Sequence, residues 1–416
     1  MPHLLSLNNY HYRRGGSDAV YLDHAALFAE HGWETSFFSM HHPRNLPCDD
    51  SDYFAQLVDG EYADGALDKL RLATRTIYNA QAKGQLQRLL ADRRFDIAHA
   101  HGIYHHLTPA ILPVLKQAGV PVVLTAHDLK IACPAYTMRN GAGNVCEACK
   151  GGDFFNATKY RCIKGSRQAS AVVTAEAYLH AKLGSYRENV AMVVTPSRFY
   201  RDKLAEWGFP KERLTYIPNF TDTIEPQFER GYSGNVLYFG RLSDEKGVAT
   251  LIHAAHRANV PVDIVGSGPS ETGLRRLADE LGAPVTFLGR LEGAALWQCV
   301  GNARAIVLPS EWYENAPLSV LEAFQLGKPC IGSDIGGIPE LVHPPGHAKC
   351  GWLFAPGDIE ELAARLQHVA TAAESELAEL GSAGRELALG RFSKKRYYAA
   401  FTELYGSLGV SKAIPA

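Results

Sequence analysis

Short runs of β-branched and aliphatic residues alternate along this chain with longer amphipathic stretches, and the alternation occurs twice. In the first half the runs "HLLSLN", "ETSFFSM", "DIAHAH", "VPVVLTAH" and "AMVVTPS" read as strands. In the second half "NVLYFG", "VDIVG", "VTFLG", "AIVLP" and "PCIGSD" do the same. The stretches between them repeat apolar residues at helical spacing; "SDAVYLDHAALFAEHG" places Val20, Leu27 and Phe28 on one face. Strand followed by helix, repeated, predicts an α/β protein with parallel sheets. Two such sets predict two doubly wound, Rossmann-like domains, 1–218 and 219–392, facing each other across a cleft. The stretch 215–222, "TYIPNFTD", reads as the hinge between them. A terminal helix within 393–416 carries an aromatic face and is expected to return toward the first domain.

Length agrees, because 416 residues exceed one ordinary core. The composition, 46% hydrophobic and 21% charged with no apolar run near 18 residues, is that of a water-soluble chain rather than a membrane span. The opening "MPHLLSLNNYHYRRGG" lacks the regions of a secretory signal, so a cytoplasmic location is expected. The net charge of −2 covers an asymmetry: residues 1–218 hold 25 basic and 21 acidic side chains, the remainder 17 and 23. Neither balance points to nucleic acid. Twelve of the 17 histidines lie in the first half. The basic stretch 67–94 fits either contact with an anionic membrane surface or a solvated helix face.

Ligands of doubly wound sheets bind beyond the carboxyl ends of the strands, so the loops there carry the candidate chemistry. After "NVLYFG" comes "RLSDEKG", where Arg241 and Lys246 flank a turn. Two cations near a helix start suit a diphosphate, although solvated surface cations read the same. After "AIVLP" comes "YENAPLSVLEAF", with Glu314 and Glu322 eight positions apart. On one helix they would stand about 80° apart. Pro317 instead suits a helix start, leaving Glu314 in the preceding loop. The backbone N–H groups of Leu318 and Ser319 then face an anion, and Glu322 follows about 6–8 Å along the helix. In the first half Gly15 and Gly16 open the first helix and admit a ligand close to the backbone, or merely make a turn. His127 ends the strand of "VVLTAH" and faces the same side, as a structural or a functional ring.

Taken together, "GRLSDEKG", "VGSGP", "WYENAPLSVLEAF" and "SDIGGIPELV" resemble the nucleotide-sugar half of a family 4 glycosyltransferase of the GT-B fold. The resemblance extends to the first half through "RRGGSDAVYLDHAALFAEHGWE", "DIAHAHGIYHHLTPAIL" and "TAHD". It implies retaining transfer of a sugar from a nucleoside diphosphate donor, UDP- or GDP-linked, to the hydroxyl of a saccharide or lipid-linked saccharide. It also implies roles: Glu322 on the donor ribose, Glu314 near the donor sugar, Arg241 and Lys246 on the diphosphate. Gly15 and Gly16 fall on the loop that closes over the phosphates, and His127 near the reacting sugar. Asp18 departs from the glutamate common in the family. No Asp-x-Asp pair is set to hold a catalytic metal, and none is expected. An epimerase of the same fold, or a non-catalytic nucleotide-sugar-binding subunit, remain alternatives.

Of eight cysteines, Cys133, Cys146, Cys149 and Cys162 share one loop at spacings of twelve, two and twelve. Four thiols with a central C-x-x-C fit a structural zinc ion; reduced thiols and disulfides are the other readings.

Overall fold

A computed structural model of the chain describes residues 1–57, 65–225, 228 and 230–410. Residues 58–64, 226, 227 and 229, and the last six of the expected terminal segment, lie outside the described residues. The chain divides into two units, Met1–Pro218 with Tyr397–Ala416, and Asn219–Arg396.

The first unit is built on strands β1 (His3–Leu7), β2 (Glu34–Phe38), β3 (Ile97–Ala100), β4 (Val122–Thr125), β5 (Met192–Thr195) and β6 (Leu214–Tyr216). All pair in parallel, in the order β2-β1-β3-β4-β5-β6. β1, β3 and β4 are buried at every residue, as strands covered by helices on both faces must be. The edge strand β2 has an exposed first residue. Strand order reverses direction between β1 and β3, so the loops after these two strands diverge and leave a crevice at their ends.

The second unit contains β7 (Val236–Phe239), β8 (Val262–Val265), β9 (Val285–Gly289), β10 (Ile306–Leu308), β11 (Cys330–Ser333) and β12 (Gly351–Phe354). Its order, β12-β11-β10-β7-β8-β9, is that of a dinucleotide-binding sheet, with the reversal between β7 and β10. Successive residues of β7 serve opposite cores. Val236 and Tyr238 join a cluster with Leu251, Ile252 and Leu362, while Leu237 and Phe239 join one with Leu321, Phe324 and Leu341. Each aliphatic side chain so buried contributes about 1.5–3 kcal/mol.

Three sequence expectations need adjusting. The stretch 215–222 does not begin as a hinge: residues 214–216 form the sheet-edge strand β6. β12, over "GWLF", is a sixth strand beside β11 that the residue pattern had not marked. The basic stretch 67–94 is two helices, Ala66–Ile77 and Ala80–Asp92, separated by Asn79, whose side chain caps the second by accepting from Ala82 N. Lys69, Leu70 and Arg71 are exposed on the first of them. Among the described residues no helix is long and apolar enough to cross a membrane.

The terminal helix, Lys394–Ser407, buries Tyr397, Phe401, Leu404 and Tyr405, a stripe at helical spacing. From Tyr397 onward it belongs to the first unit. There Tyr397 and Tyr405 hydrogen-bond to the two ring nitrogens of the fully buried His24, at 3.0 and 2.9 Å. The rings of Phe28 and Trp33 both pack tilted against Tyr405. The aromatic face read from the sequence is therefore a docking face with a polar centre.

Candidate active site

The loops after β7 and β10 flank the reversal of the second sheet, and their side chains meet. The Lys246 ammonium donates to Glu314 Oε1 at 2.6 Å, and Ser310 Oγ donates to the same oxygen at 2.7 Å. Glu314 is buried, and Lys246 also lies over the Trp312 ring, 5.3 Å from its centre. Burial opposes the charge on Glu314, but Lys246, Ser310 and Trp312 together hold its carboxyl below the ordinary range. The sequence reading gave Lys246 and Glu314 to different parts of a ligand; the structure brings them into one ion pair. Arg241 is exposed and makes no ion pair among the described residues, while its carbonyl accepts from the Tyr238 hydroxyl at 2.7 Å.

Backbone contacts hold this loop in place. Gly337 N donates to the Glu314 carbonyl at 2.8 Å. Gly336, at φ +63, lies so close that a Cβ there would fall 2.5 Å from that same oxygen. On the other side a Cβ at Gly247, φ +66, would meet the Pro309 carbonyl at 1.9 Å. Only glycine fits either position. Of the residues that build the loop, Ser310 gave no signal in the sequence, and Trp312 and Gly336 gave one only through the motifs "WYENAPLSVLEAF" and "SDIGGIPELV".

Pro317 precedes the helix Leu318–Gln325, as expected. The first N–H groups of any helix lack partners within it, so Leu318 and Ser319 present donors at this start. Glu322 is the fifth residue of the helix. It is partly buried, and burial alone pushes its carboxyl up to about 7. Glu314 and Glu322 thus differ sharply in charge at neutral pH: one is held ionised by a cation, the other is poised to lose or gain its proton.

In the first unit the loops after β1 and β3 flank the corresponding reversal. Asn8 ties them together: its Nδ2 donates to Tyr10 O and to Asp18 Oδ1, and its Oδ1 accepts from Gly102 N. Arg14 stands 3.6 Å from the other Asp18 oxygen. Asp18 is buried, and its burial raises its carboxyl pKa despite Asn8 and Arg14. The residue that departs from the family pattern therefore anchors the loop that leads into Gly15 and Gly16. Both glycines are exposed at the start of the helix Gly16–Glu30. Gly15 is fully extended, a conformation open to any residue, and a Cβ there would touch nothing. What glycine provides at this point is an uncovered backbone.

His127 follows β4, and its Nε2 lies 2.9 Å from His101 Nδ1. Burial lowers the His127 pKa to about 4. Beside it, burial raises the Asp128 carboxyl to about 6, and Asp128 Oδ1 accepts from Lys130 N. His101 was not singled out in the sequence, where "DIAHAH" read as a strand and as part of the family resemblance without a role for this ring.

The four clustered cysteines are free thiols, Cys133 and Cys149 buried and Cys146 and Cys162 partly so. The loop folds on itself to gather them. Cys146 N donates to Met138 O, Gly141 N to Tyr160 O, and Asn156 Nδ2 to Ala148 O. Burial pushes the Cys149 thiol up to about 12, with Cys133, Cys162 and Cys146 adding to the effect. Among the described residues no group of three or more His, Cys, Asp or Glu side chains is placed to hold a metal ion. The thiols are neighbours, but they do not stand as a ligand set.

Two parallel doubly wound units with their loops arranged in this way define a GT-B protein. The sequence matches Glycosyltransferase Family 4 over residues 14–225 and glycosyl transferases group 1 over residues 221–387. The chain belongs to glycosyltransferase family 4. It is 33% identical over 133 residues to the sulfoquinovosyl transferase SQD2 of Arabidopsis thaliana, a match covering 32% of this chain and 26% of that protein. It is 27% identical over 340 residues to the alpha-maltose-1-phosphate synthase of Mycolicibacterium smegmatis, covering 74% and 78%. The chain therefore spans about a quarter of the first relative and about three quarters of the second. Among solved structures, Anabaena HepE in complex with UDP-glucose superposes with a TM-score of 0.66 at 18% identity, over 97% of this chain and 99% of that one.

Proposed function

We propose that the protein is a retaining glycosyltransferase acting in polysaccharide or glycolipid synthesis. It moves a sugar from a UDP- or GDP-linked donor to a hydroxyl of a saccharide or lipid-linked saccharide. The observation that carries this reading is the Lys246–Glu314 pair at the reversal of a dinucleotide-type sheet, beside the start of the helix Leu318–Gln325. The acceptor oxygen forms a bond to the anomeric carbon as the bond from that carbon to the diphosphate oxygen breaks, on the same face of the sugar. The acceptor proton passes to the leaving diphosphate. Negative charge grows on that group, and Lys246, Arg241 and the N–H groups of Leu318 and Ser319 stabilise it without a metal. Glu314, released from Lys246 by the diphosphate, turns its carboxylate to the donor sugar, and Glu322 accepts from the ribose hydroxyls. Incubation with UDP- and GDP-sugars and a saccharide acceptor tests the reading. A product with the donor's anomeric configuration supports it. An inverted product refutes retention, and donor isomerisation without transfer refutes transfer.

The Glu322 assignment has its own measurable consequence. Ribose hydroxyls favour the ionised carboxylate, so a group with a pKa near 7 releases its proton on nucleotide binding. Calorimetric titration at pH 7 in buffers of different ionisation enthalpy will show that release. Glu322→Gln will abolish it and weaken affinity roughly tenfold or more, the worth of a charge-assisted hydrogen bond. Equal affinity in the variant removes Glu322 from the ribose.

The cysteine cluster is proposed to take up one structural zinc ion. Cys133, Cys146, Cys149 and Cys162 would hold the ion, which would order the loop and take no part in the chemistry. Elemental analysis of protein purified without chelator will find close to one zinc per chain; a small fraction of that refutes it. Cys146→Ser with Cys149→Ser will impair acceptor use while nucleotide affinity survives.

A further inference from the structure

Four histidines of the first unit form a continuous run that ends at His127. His24 and His99 share the Tyr405 hydroxyl, at 2.9 and 2.6 Å, and His99 Nε2 lies 2.7 Å from Thr125 Oγ1. The ring of His99 stacks on that of His101, with centres 4.4 Å apart and planes inclined by 16°. His101 Nδ1 then meets His127 Nε2 at 2.9 Å. His24, His99 and His101 are fully buried. Sequence patterns explain none of this, because a strand that buries both faces is expected to carry aliphatic residues where β3 carries His99.

The last contact in the run settles where protons reside. Burial holds His101 and His127 neutral, so each ring has one N–H. A distance of 2.9 Å between ring nitrogens is a hydrogen bond, and one proton must lie in it. If His127 were the donor, the proton of His101 would be on Nε2. That atom is buried and has no hydrogen-bond partner among the described residues. A buried N–H without an acceptor is rare, and an unsatisfied acceptor is tolerated more often. The proton of His101 is therefore on Nδ1 and points at His127 Nε2. The lone pair of His127 Nε2 is then occupied, and the proton of His127 is on Nδ1.

We propose that His101 is a positioning residue that fixes His127 as its Nδ1–H tautomer, so that His127 serves the substrate as a hydrogen-bond donor and cannot accept the proton of the acceptor hydroxyl. The inference rests on the reading that His127 belongs to the reacting site. It deepens that reading by excluding base catalysis from this ring, which leaves the departing diphosphate as the proton's destination.

Nitrogen-15 NMR of the histidine rings in the full-length protein tests the tautomer directly, with the His127 signals assigned by their loss in His127→Asn. The expected wild-type spectrum shows a protonated Nδ1 and a bare Nε2 on His127. His101→Phe keeps the stack on His99 but deletes the donor. It should release His127 into a mixture of tautomers and lower kcat about tenfold at unchanged nucleotide affinity. His101→Asn, whose amide N–H stands close to the place of Nδ1, should recover most of both. A wild-type proton on His127 Nε2 overturns the proposal, and this holds even if His101→Phe fails to fold. Equal losses in folded His101→Phe and His101→Asn overturn it too, since that would be a packing effect. If the tautomer is as expected but His127→Phe, which has no donor, transfers sugar normally, the placing of His127 in the reacting site fails instead.

Discussion

Between pH 7 and pH 5 the first unit will lose most of its stability. His24, His99 and His101 titrate well below their ordinary value because they are buried, and burial takes His127 and His11 to about 4. His3, His105 and His180 are lowered as well, again chiefly by burial. Each of these rings takes up a proton near pH 6.5 when the chain is unfolded and refuses it when folded. The unfolded state therefore binds more protons below about 6.5, down to about 4 for His127 and His11, and stability falls as pH falls through that window. One such ring costs up to about 1.4 kcal/mol per pH unit within it. The first unit holds eight. Asp128, raised to about 6, and Asp18, also raised, act in the opposite sense, since they protonate earlier in the folded state than in the unfolded chain. Two carboxyls do not offset eight imidazoles. Scanning calorimetry at pH 7, 6 and 5 will show a transition that moves steeply downward. His24→Phe will flatten the slope even if it lowers the transition at pH 7. A transition that stays in place between pH 7 and pH 5 refutes the neutral, buried state of these rings.

Lys246→Ala will damage both stability and turnover, and the two losses separate. Removing the ammonium leaves the Glu314 carboxylate buried with only the neutral Ser310 and Trp312 beside it, which costs about 3 kcal/mol. Turnover falls by roughly 10²–10³, the worth of one preorganised donor on a departing anion. Arg241→Ala has the second effect without the first, because the guanidinium is exposed and makes no ion pair among the described residues. Lys246→Met with Glu314→Gln restores thermal stability, since no uncompensated charge is left, yet stays slow. If Lys246→Ala and Arg241→Ala both turn over at the wild-type rate, neither cation meets the diphosphate.

The inner strands were legible because burial on both faces favours apolar runs: β7 is one throughout, β4 is one up to Thr125, and β1 is one apart from His3 and Ser6. β6 and β12 escaped because edge strands of three and four residues need little apolar sequence. β12 even opens on glycine: a Cβ at Gly351 would lie 1.9 Å from the Cys330 carbonyl, a demand made by the neighbouring strand and invisible along the chain. The candidate site divides in the same way. Pro317, Glu314 and Glu322 could be placed from local helix rules. The Lys246–Glu314 bond joins loops 68 residues apart, and that between His101 and His127 joins 26. Such pairings follow from strand order, which a list of residues does not disclose.

The chain leaves the first unit after Pro218 and comes back to it at Tyr397, so the second unit is in effect an insertion within the first. On the ribosome the order of completion is therefore reversed. When Pro218 has been made, His24, Phe28 and Trp33 still lack the helix that covers them, and Tyr405 is synthesised roughly 10–40 s later at ordinary rates of elongation. Throughout that interval the side chains of His24, Phe28 and Trp33 lack the aromatic partners that cover them in the finished chain. The histidine run behind His127 can close only after the nucleotide-type sheet has been made in full. Maturation of the first unit is thus timed by the synthesis of the second.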